Sequence, residues 1–339
     1  MNYYAIELHS HTNHSDGGFT TEELLGSAQD FGYDILTITD HNTVAPYEEW
    51  KKNQSWAGGL LVIPGIEWTT YFGHMLVLGS KQMIDWRTAE LDSIDTRISE
   101  IKDSGGIVGI AHPFSIGSPI CTGCRWEFEV QNYDNVDFIE LWNRINPDES
   151  FRSRLAYEMW TDLLKKGHRI SCSAGRDWHR IESELDNTAL TYIGLRELTE
   201  DGVKESLENG NFYITLGPRL QMQIEQCGRL HHLGQELHSG AAKLQVRLES
   251  ILQEKLRNFG FKGERIVVIQ NEEVVAEIEL KENQSREVPL TLHPGYVRLE
   301  LYGEAKGERD RLLVIGNPFY VRDGVPAIPH IEQTRGALT

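Results

Sequence analysis

His9-Ser-His11-Thr-Asn-His14-Ser-Asp16-Gly17 is the stretch that decides the fold. It follows the apolar run Ala5-Ile-Glu-Leu8. Side chains at i and i+2 of an extended strand point to the same side, so His9 and His11 can grip one cation together. The same spacing returns at Asp177-Trp178-His179, and between the two pairs lie His41, Glu67, His74 and His112. Imidazole and carboxylate ligands without thiolate suit zinc, manganese or iron, and a carboxylate such as Glu67 can bridge two cations. The ordered set reads as a multinuclear metal centre and points to hydrolysis. Bridged cations lower the pKa of a shared water enough to supply hydroxide near neutral pH, with no serine or cysteine nucleophile required.

Around these residues, apolar runs at 5–8, 35–39, 60–66, 75–78, 107–111, 138–141, 170–173 and 189–192 alternate with amphipathic stretches at 21–31, 89–103 and 151–166. Strands alternating with helices predict a parallel sheet. Thr20 or Thr21 before Glu22-Glu23 supplies a helix start, and Gly105-Gly106 and Gly167 supply helix stops. Most candidate ligands follow a strand, which in a barrel of parallel strands gathers them at one mouth.

After residue 216 the texture changes to short alternating segments separated by Gly, Asn and Lys-Glu clusters. This predicts a metallohydrolase barrel over 1–216, an antiparallel β-sandwich over 217–325 and a polar tail over 326–339. The 339 residues carry a formal charge of −18, a field that repels nucleic acid and anionic lipid. No stable nucleic-acid or membrane partner is expected, and the partner is a small-molecule substrate. The N-terminus lacks a basic stretch followed by an apolar run, so the expected location is cytoplasmic. Four cysteines make no disulfide framework, and Cys121-Thr-Gly-Cys124 is half a metal site with no second pair.

The blocks His9-Ser-His11 to Asp16-Gly17, Asp40-His41-Asn42, Gly65-Ile-Glu67 with Gly73-His74, Ala111-His112-Pro113 and Gly175-Arg-Asp177-Trp-His179 together resemble the polymerase and histidinol phosphatase (PHP) superfamily over roughly 1–215. The resemblance implies a distorted (β/α)7 barrel whose mouth holds two or three divalent metals, manganese, zinc or iron. A finer similarity to the CehA/McbA branch rests on Glu67-Trp-Thr-Thr, Ile139-Glu-Leu-Trp-Asn143, Leu163-Leu-Lys-Lys-Gly167 and Tyr213-Ile-Thr-Leu-Gly-Pro218. It implies a small C-terminal β domain. Carried over by position, His9, His11, Glu67 and Asp177 would hold a first metal, Glu67 with His74 and His112 a second, and Asp16, His41 and His179 a third. Asp40 would orient an imidazole. Arg176 stands where the family often has serine, and could shield a ligand carboxylate or clasp a phosphate. Glu67, Asp177 and Arg176 are the expected catalytic residues.

Each ligand alone has a plainer reading. His9 or His112 could be a hydrogen-bonded strand-end histidine, Asp16 could cap the Gly17-Gly18 turn, and His14 competes with Asp16 as a ligand. Asn143, Arg144, Arg176 and Trp178 are substrate-binding candidates, while Trp142 and Trp178 could equally be barrel packing. The expected activity is a metal-dependent phosphoesterase acting on a small phosphorylated molecule, with a metal-bridging hydroxide as nucleophile. Carbamate or carboxylic ester hydrolysis by the same centre is the alternative. Of another class, the β-sandwich could be a carbohydrate or protein binding module.

Overall fold

The computed structural model describes residues 1–80, 83–117, 123–181 and 187–324, so Cys121 and the polar tail lie outside the described residues. In chain order the elements are β1 (Asn2–Glu7), α1 (Thr21–Phe31), β2 (Ile35–Ile38), α2 (Ala45–Lys52), β3 (Leu61–Thr69), β4 (His74–Leu78), α3 (Ile94–Asp103), β5 (Ile107–Ile110), β6 (Phe138–Asn143), α4 (Phe151–Lys165), β7 (Ser171–Gly175), β8 (Leu190–Leu195), α5 (Glu200–Asn209) and β9 (Phe212–Thr215). There follow β10 (Arg219–Gln226), β11 (Arg229–His231), β12 (Glu236–His238), β13 (Gly240–Glu249), α6 (Glu254–Arg257), β14 (Lys262–Gln270), β15 (Glu273–Glu279), β16 (Ser285–Leu292), β17 (Gly295–Ala305), β18 (Glu308–Gly316) and β19 (Phe319–Arg322). Among the described residues, no helix is long and apolar enough to cross a membrane.

The expected all-parallel sheet is corrected to a mixed one. Strands β1, β2 and β3 run parallel, as do β5, β6 and β7, but β4 is antiparallel to both its neighbours. Only residues 70–73 separate β3 from β4. That is too short for a crossover, so the chain must turn back as a hairpin. On the other side of β1, β8 and β9 add antiparallel pairs. Beyond Glu7 the chain leaves β8 and crosses to the segment after β7: the His11 amide donates to the Trp178 carbonyl at 2.9 Å, and the Trp178 amide to that of His9 at 3.1 Å.

Ile6, Leu8, Ile35, Ile63, Leu76, Leu78, Ile107, Phe138, Ile193 and Phe212 form one buried cluster, closed by Val203 and Leu207 of α5. The other strand faces meet α1, α3 and α4 in a larger core. Helix α1 starts on the expected cap, with Thr20 and Glu23 bonding each other's backbone amides reciprocally. Helix α3 begins at Ile94 rather than 89. Helices α2 and α5 went unpredicted because each buries few residues: Pro46 alone in α2, and Val203, Ser206 and Leu207 in α5.

The C-terminal half folds as strands of two sheets. Strands β11, β10, β13 and β16 form a separate four-stranded sheet. The rest join the N-terminal sheet, because β18 pairs with β9 through Val314–Thr215, Ile315–Ile214 and Gly316–Tyr213. Leu244 and Val246 of the first set and Leu299 and Leu301 of the second bury into the same core as the α/β part.

Candidate metal centre

The strand ends bring the expected ligands together. His9 and His11 lie just past β1, His41 past β2, His112 past β5, and Asp177 and His179 past β7, whereas Glu67 lies within β3. Because β4 is antiparallel, its first residue, His74, reaches the same mouth by starting there. Glu67 is the hub. Its Oε2 lies 3.2 Å from His9 Nε2, His11 Nε2 and His41 Nδ1, and its Oε1 lies 2.7 Å from His74 Nδ1 and 3.0 Å from His112 Nε2. Asp177 Oδ1 approaches His11 Nε2 at 3.2 Å, and Asp16 Oδ1 approaches His179 Nε2 at 3.2 Å and His41 Nε2 at 3.5 Å.

Among the described residues, potential ligand atoms within 4.8 Å of one another fall into three overlapping groups: His9, His11, Glu67 and Asp177; His11, Asp16, His41 and His179; and His41, Glu67 and His74. The first group has the composition expected for the first metal. His112 touches Glu67 but joins none of the groups. His14 instead turns to the Glu49 carboxylate at 2.9 Å.

The donor chemistry fits divalent metal. His9 Nδ1 lies 3.0 Å from Glu140, His112 Nδ1 3.3 Å from the Cys124 carbonyl, and His179 Nδ1 2.7 Å from the Asp177 carbonyl. Those partners only accept, so each Nδ1 keeps a proton, and it is Nε2, once it gives up any proton of its own, that can present a lone pair inward. Meanwhile His9 Nε2, both His11 nitrogens and Glu67 Oε2 are buried with no hydrogen-bond partner. Buried polar atoms are normally satisfied, and a cation would satisfy these together.

Two further carboxylates frame the cluster. Glu140 Oε1 holds His9 Nδ1, and its Oε2 accepts the His112 amide at 3.0 Å and Asn143 Nδ2 at 2.9 Å. A Cβ on Gly175 would fall 2.0 Å from Glu140 Oε1 and 2.7 Å from His9 Cβ, so glycine is what lets β7 pass this close. Glu7 lies behind His9, accepting the His9 and Arg176 amides at 2.9 Å on Oε1 and the Tyr33 hydroxyl at 2.7 Å on Oε2. Burial pushes Glu7 up to about 7 against the pull of Arg176. Sequence reasoning missed both. Glu7 stands between the apolar residues Ile6 and Leu8, and Glu140 sits inside Ile139-Glu-Leu-Trp-Asn143, each with the look of an ordinary strand carboxylate.

Three expectations are corrected. Asp40 does not orient an imidazole: its carboxylate ties down the loop of Thr12 and Ser15 through their hydroxyls and the Thr12 amide. Arg176 is 2% exposed, with its guanidinium 3.6 Å from the Trp178 ring centroid and 4.5 Å from that of Phe31. Burial in that stack takes it out of reach of a phosphate at the mouth. Trp178 likewise packs on Phe19 and Arg176 rather than lining a pocket. Trp142 is buried too.

At the mouth stands Arg144, whose Nε donates to Asp177 Oδ2 at 2.8 Å from a half-exposed side chain. It lines a cleft of about 160 Å³ with His112, Glu140, Asn143, Phe114 and Arg152, the last a residue not anticipated from sequence. His112, Arg144 and Asp177 have φ of 27°, 64° and 49°, left-handed backbone at three residues around this cleft.

Burial would raise the carboxyls of Glu67 and Asp177, yet the surrounding imidazoles, His9 foremost, hold both well below the carboxylate range. Burial would lower His11, but Asp177 and Glu67 bring it up to about 9, and Glu140 and Glu67 raise His9 in the same way. Without a cation these histidines therefore hold protons at pH 7. A divalent metal must displace them. Affinity for Mn(II) should accordingly rise with pH up to about 9, the value for His11, with proton release at pH 7. Calorimetry in buffers of different ionisation enthalpy measures both, and a pH-independent affinity would contradict the expectation.

No protein-family model matches the chain. Over 71 residues it is 42% identical to the 5′-3′ exoribonuclease Rnm of Escherichia coli (strain K12), covering 20% of this chain and 24% of that protein. The chain thus spans about a quarter of the length of that relative. It is 30% identical over 149 residues to an uncharacterized protein of Methanocaldococcus jannaschii, covering 41% of this chain and 82% of that one. Among solved structures, a two-domain protein containing a predicted PHP-like metal-dependent phosphoesterase, from Bacteroides vulgatus, superposes with TM-score 0.54 at 13% identity over 94% of this chain and 95% of that one.

Proposed function

We propose that this chain, which belongs to one family with the uncharacterized archaeal protein and has the fold of a PHP-like two-domain protein, is a metal-dependent phosphoesterase of small phosphorylated molecules. The observation that carries the reading is the set of buried ligand atoms around Glu67 that have no hydrogen-bond partner. His9, His11, Glu67 and Asp177 would hold one divalent metal, and Asp16, His41 and His179, with His74 and His112 beside Glu67, would hold its neighbours. Such metals supply Lewis acidity toward a phosphoryl oxygen and an acidified water. The reading treats the curled sheet as a distorted barrel, supported by the backbone bonds joining residues 9–11 to Trp178.

The chain's own residues set the rest. Glu140 and the Cys124 carbonyl fix two imidazole rings, so the lone pairs are aimed before any substrate arrives. Arg144 carries the anion preference at the mouth, since a guanidinium matches two phosphate oxygens in its fork, and Arg152 adds positive charge to the same cleft. This is local compensation in a chain of charge −18. Purified protein with Mn(II), offered phosphomonoesters, 5′-phosphorylated dinucleotides and aryl carbamates, should cleave phosphoesters. Carbamate turnover alone would favour an ester or carbamate hydrolase of CehA/McbA type, and inertness toward every phosphoester would overturn the proposal. Arg144→Met should raise KM for a phosphomonoester about tenfold or more, as expected for losing one charge-assisted contact of about 1.5–3 kcal/mol, with little change for a neutral carboxylic ester. Parallel kinetics on the two substrates read the difference.

A further inference from the structure

We infer that Glu7 is a positioning residue of the centre, setting the spacing between the His9/His11 pair and the Asp177/His179 pair; this rests on the reading that those pairs hold cations. The two pairs come from segments far apart in sequence, and among the described residues no long ladder joins them. Strand β1 is committed to β2 and β8, and β7 to β6. Their meeting depends on a few bonds just beyond the strand ends. Two are the amide–carbonyl bonds that Trp178 makes with His9 and His11.

The third is Glu7. One carboxylate oxygen, Oε1, accepts the amide of His9 on its own segment and the amide of Arg176 on the other, both at 2.9 Å. Each amide belongs to a ligand or to the residue beside one. Oε2 is held by the Tyr33 hydroxyl at 2.7 Å, so the carboxyl cannot swing. The Arg176 side chain, stacked on Trp178 and Phe31, completes the same layer. Glu7 is 1% exposed and does not line the cleft, so it touches no substrate. A single atom therefore pins one backbone at a ligand, His9, and the other one residue before a ligand, Asp177, and the length of this side chain sets how far apart they stand.

Reach and charge are separable. Glu7→Gln keeps the reach and an acceptor oxygen; Glu7→Asp keeps the charge but is one methylene short of spanning both amides. The full chain should be titrated with Mn(II) by electron paramagnetic resonance and loaded with Co(II) for its visible spectrum, with folding checked by circular dichroism. Expected is a loss of Mn(II) affinity of about 10-fold to 100-fold in Glu7→Asp, as for other residues that orient metal ligands, with a changed Co(II) spectrum. Glu7→Gln should stay within about threefold of the unsubstituted chain, the carboxyl charge not being what sets the spacing. A folded Glu7→Asp with unaltered affinity and spectrum overturns the inference. If Glu7→Asp fails to fold, Glu7→Gln decides it: a tenfold loss there overturns it, and retained affinity supports it. No Mn(II) binding by the unsubstituted chain overturns the metal-centre reading itself.

Discussion

Glu67→Ala should abolish activity and cost the protein metal at more than one position. Its two oxygens lie within 3.2 Å of five imidazoles, so among the described residues no other single side chain is shared so widely. Removing one member of a largely buried charged set leaves the others uncompensated, at about 3–5 kcal/mol. If that loss falls on the transition state it corresponds to roughly two to four decades in rate. Because the imidazoles held up by Glu67 would lose that support, His11 and His112 should also become easier to deprotonate. Metal analysis of protein purified without chelator, together with kcat on the best phosphoester, tests the expectation. A variant that keeps its full metal content and activity would remove Glu67 from the hub.

The second large effect falls on stability. Trp178→Ala should destabilise the fold by about 3–5 kcal/mol, the usual range for truncating a buried aromatic, and lower the urea midpoint without changing the slope. The ring is 3% exposed and sits between Phe19, at 5.4 Å between centroids, and the Arg176 guanidinium. Its backbone carries the two bonds to His9 and His11, so the cavity opens beside the segment that spaces the ligands. Metal binding should weaken in the folded variant as well. Urea unfolding with and without Mn(II) separates the two effects, because a ligand binding only the folded state adds its linkage term. A loss below about 1 kcal/mol would mean that the stack relaxes freely around the missing ring, unlike the poorly collapsing sites that set the upper range.

Much of the site was legible because metal binding restricts residue type. Imidazole and carboxylate at i, i+2 after an apolar run, as at His9/His11 and Asp177/His179, are visible without any structure. The strands around them were legible for the same local reason, a continuous apolar run closed by polar residues. What escaped was whatever depended on contact between distant segments. Glu140 and Glu7 look like ordinary strand carboxylates until His9 is found against both. Arg176 stands next to a ligand in sequence, which by itself places it at the mouth, but the backbone there is not extended: Asp177 has a φ of 49°. The Arg176 side chain turns inward onto Trp178. Arg144, the other arginine expected at the mouth, does stand there, with its Nε donating to Asp177.

The sequence by itself determined which atoms can bind metal and roughly where the strands run, because ligand chemistry and apolar periodicity are local properties of the chain. Only the tertiary structure decided that β4 runs against its neighbours, that β18 pairs with β9, and that one carboxylate, Glu67, faces five histidines. Those outcomes depend on which distant segments share a hydrogen-bond ladder and which side of a strand each residue presents once the core is packed, and the energy that selects among them is shared by residues far apart in the chain.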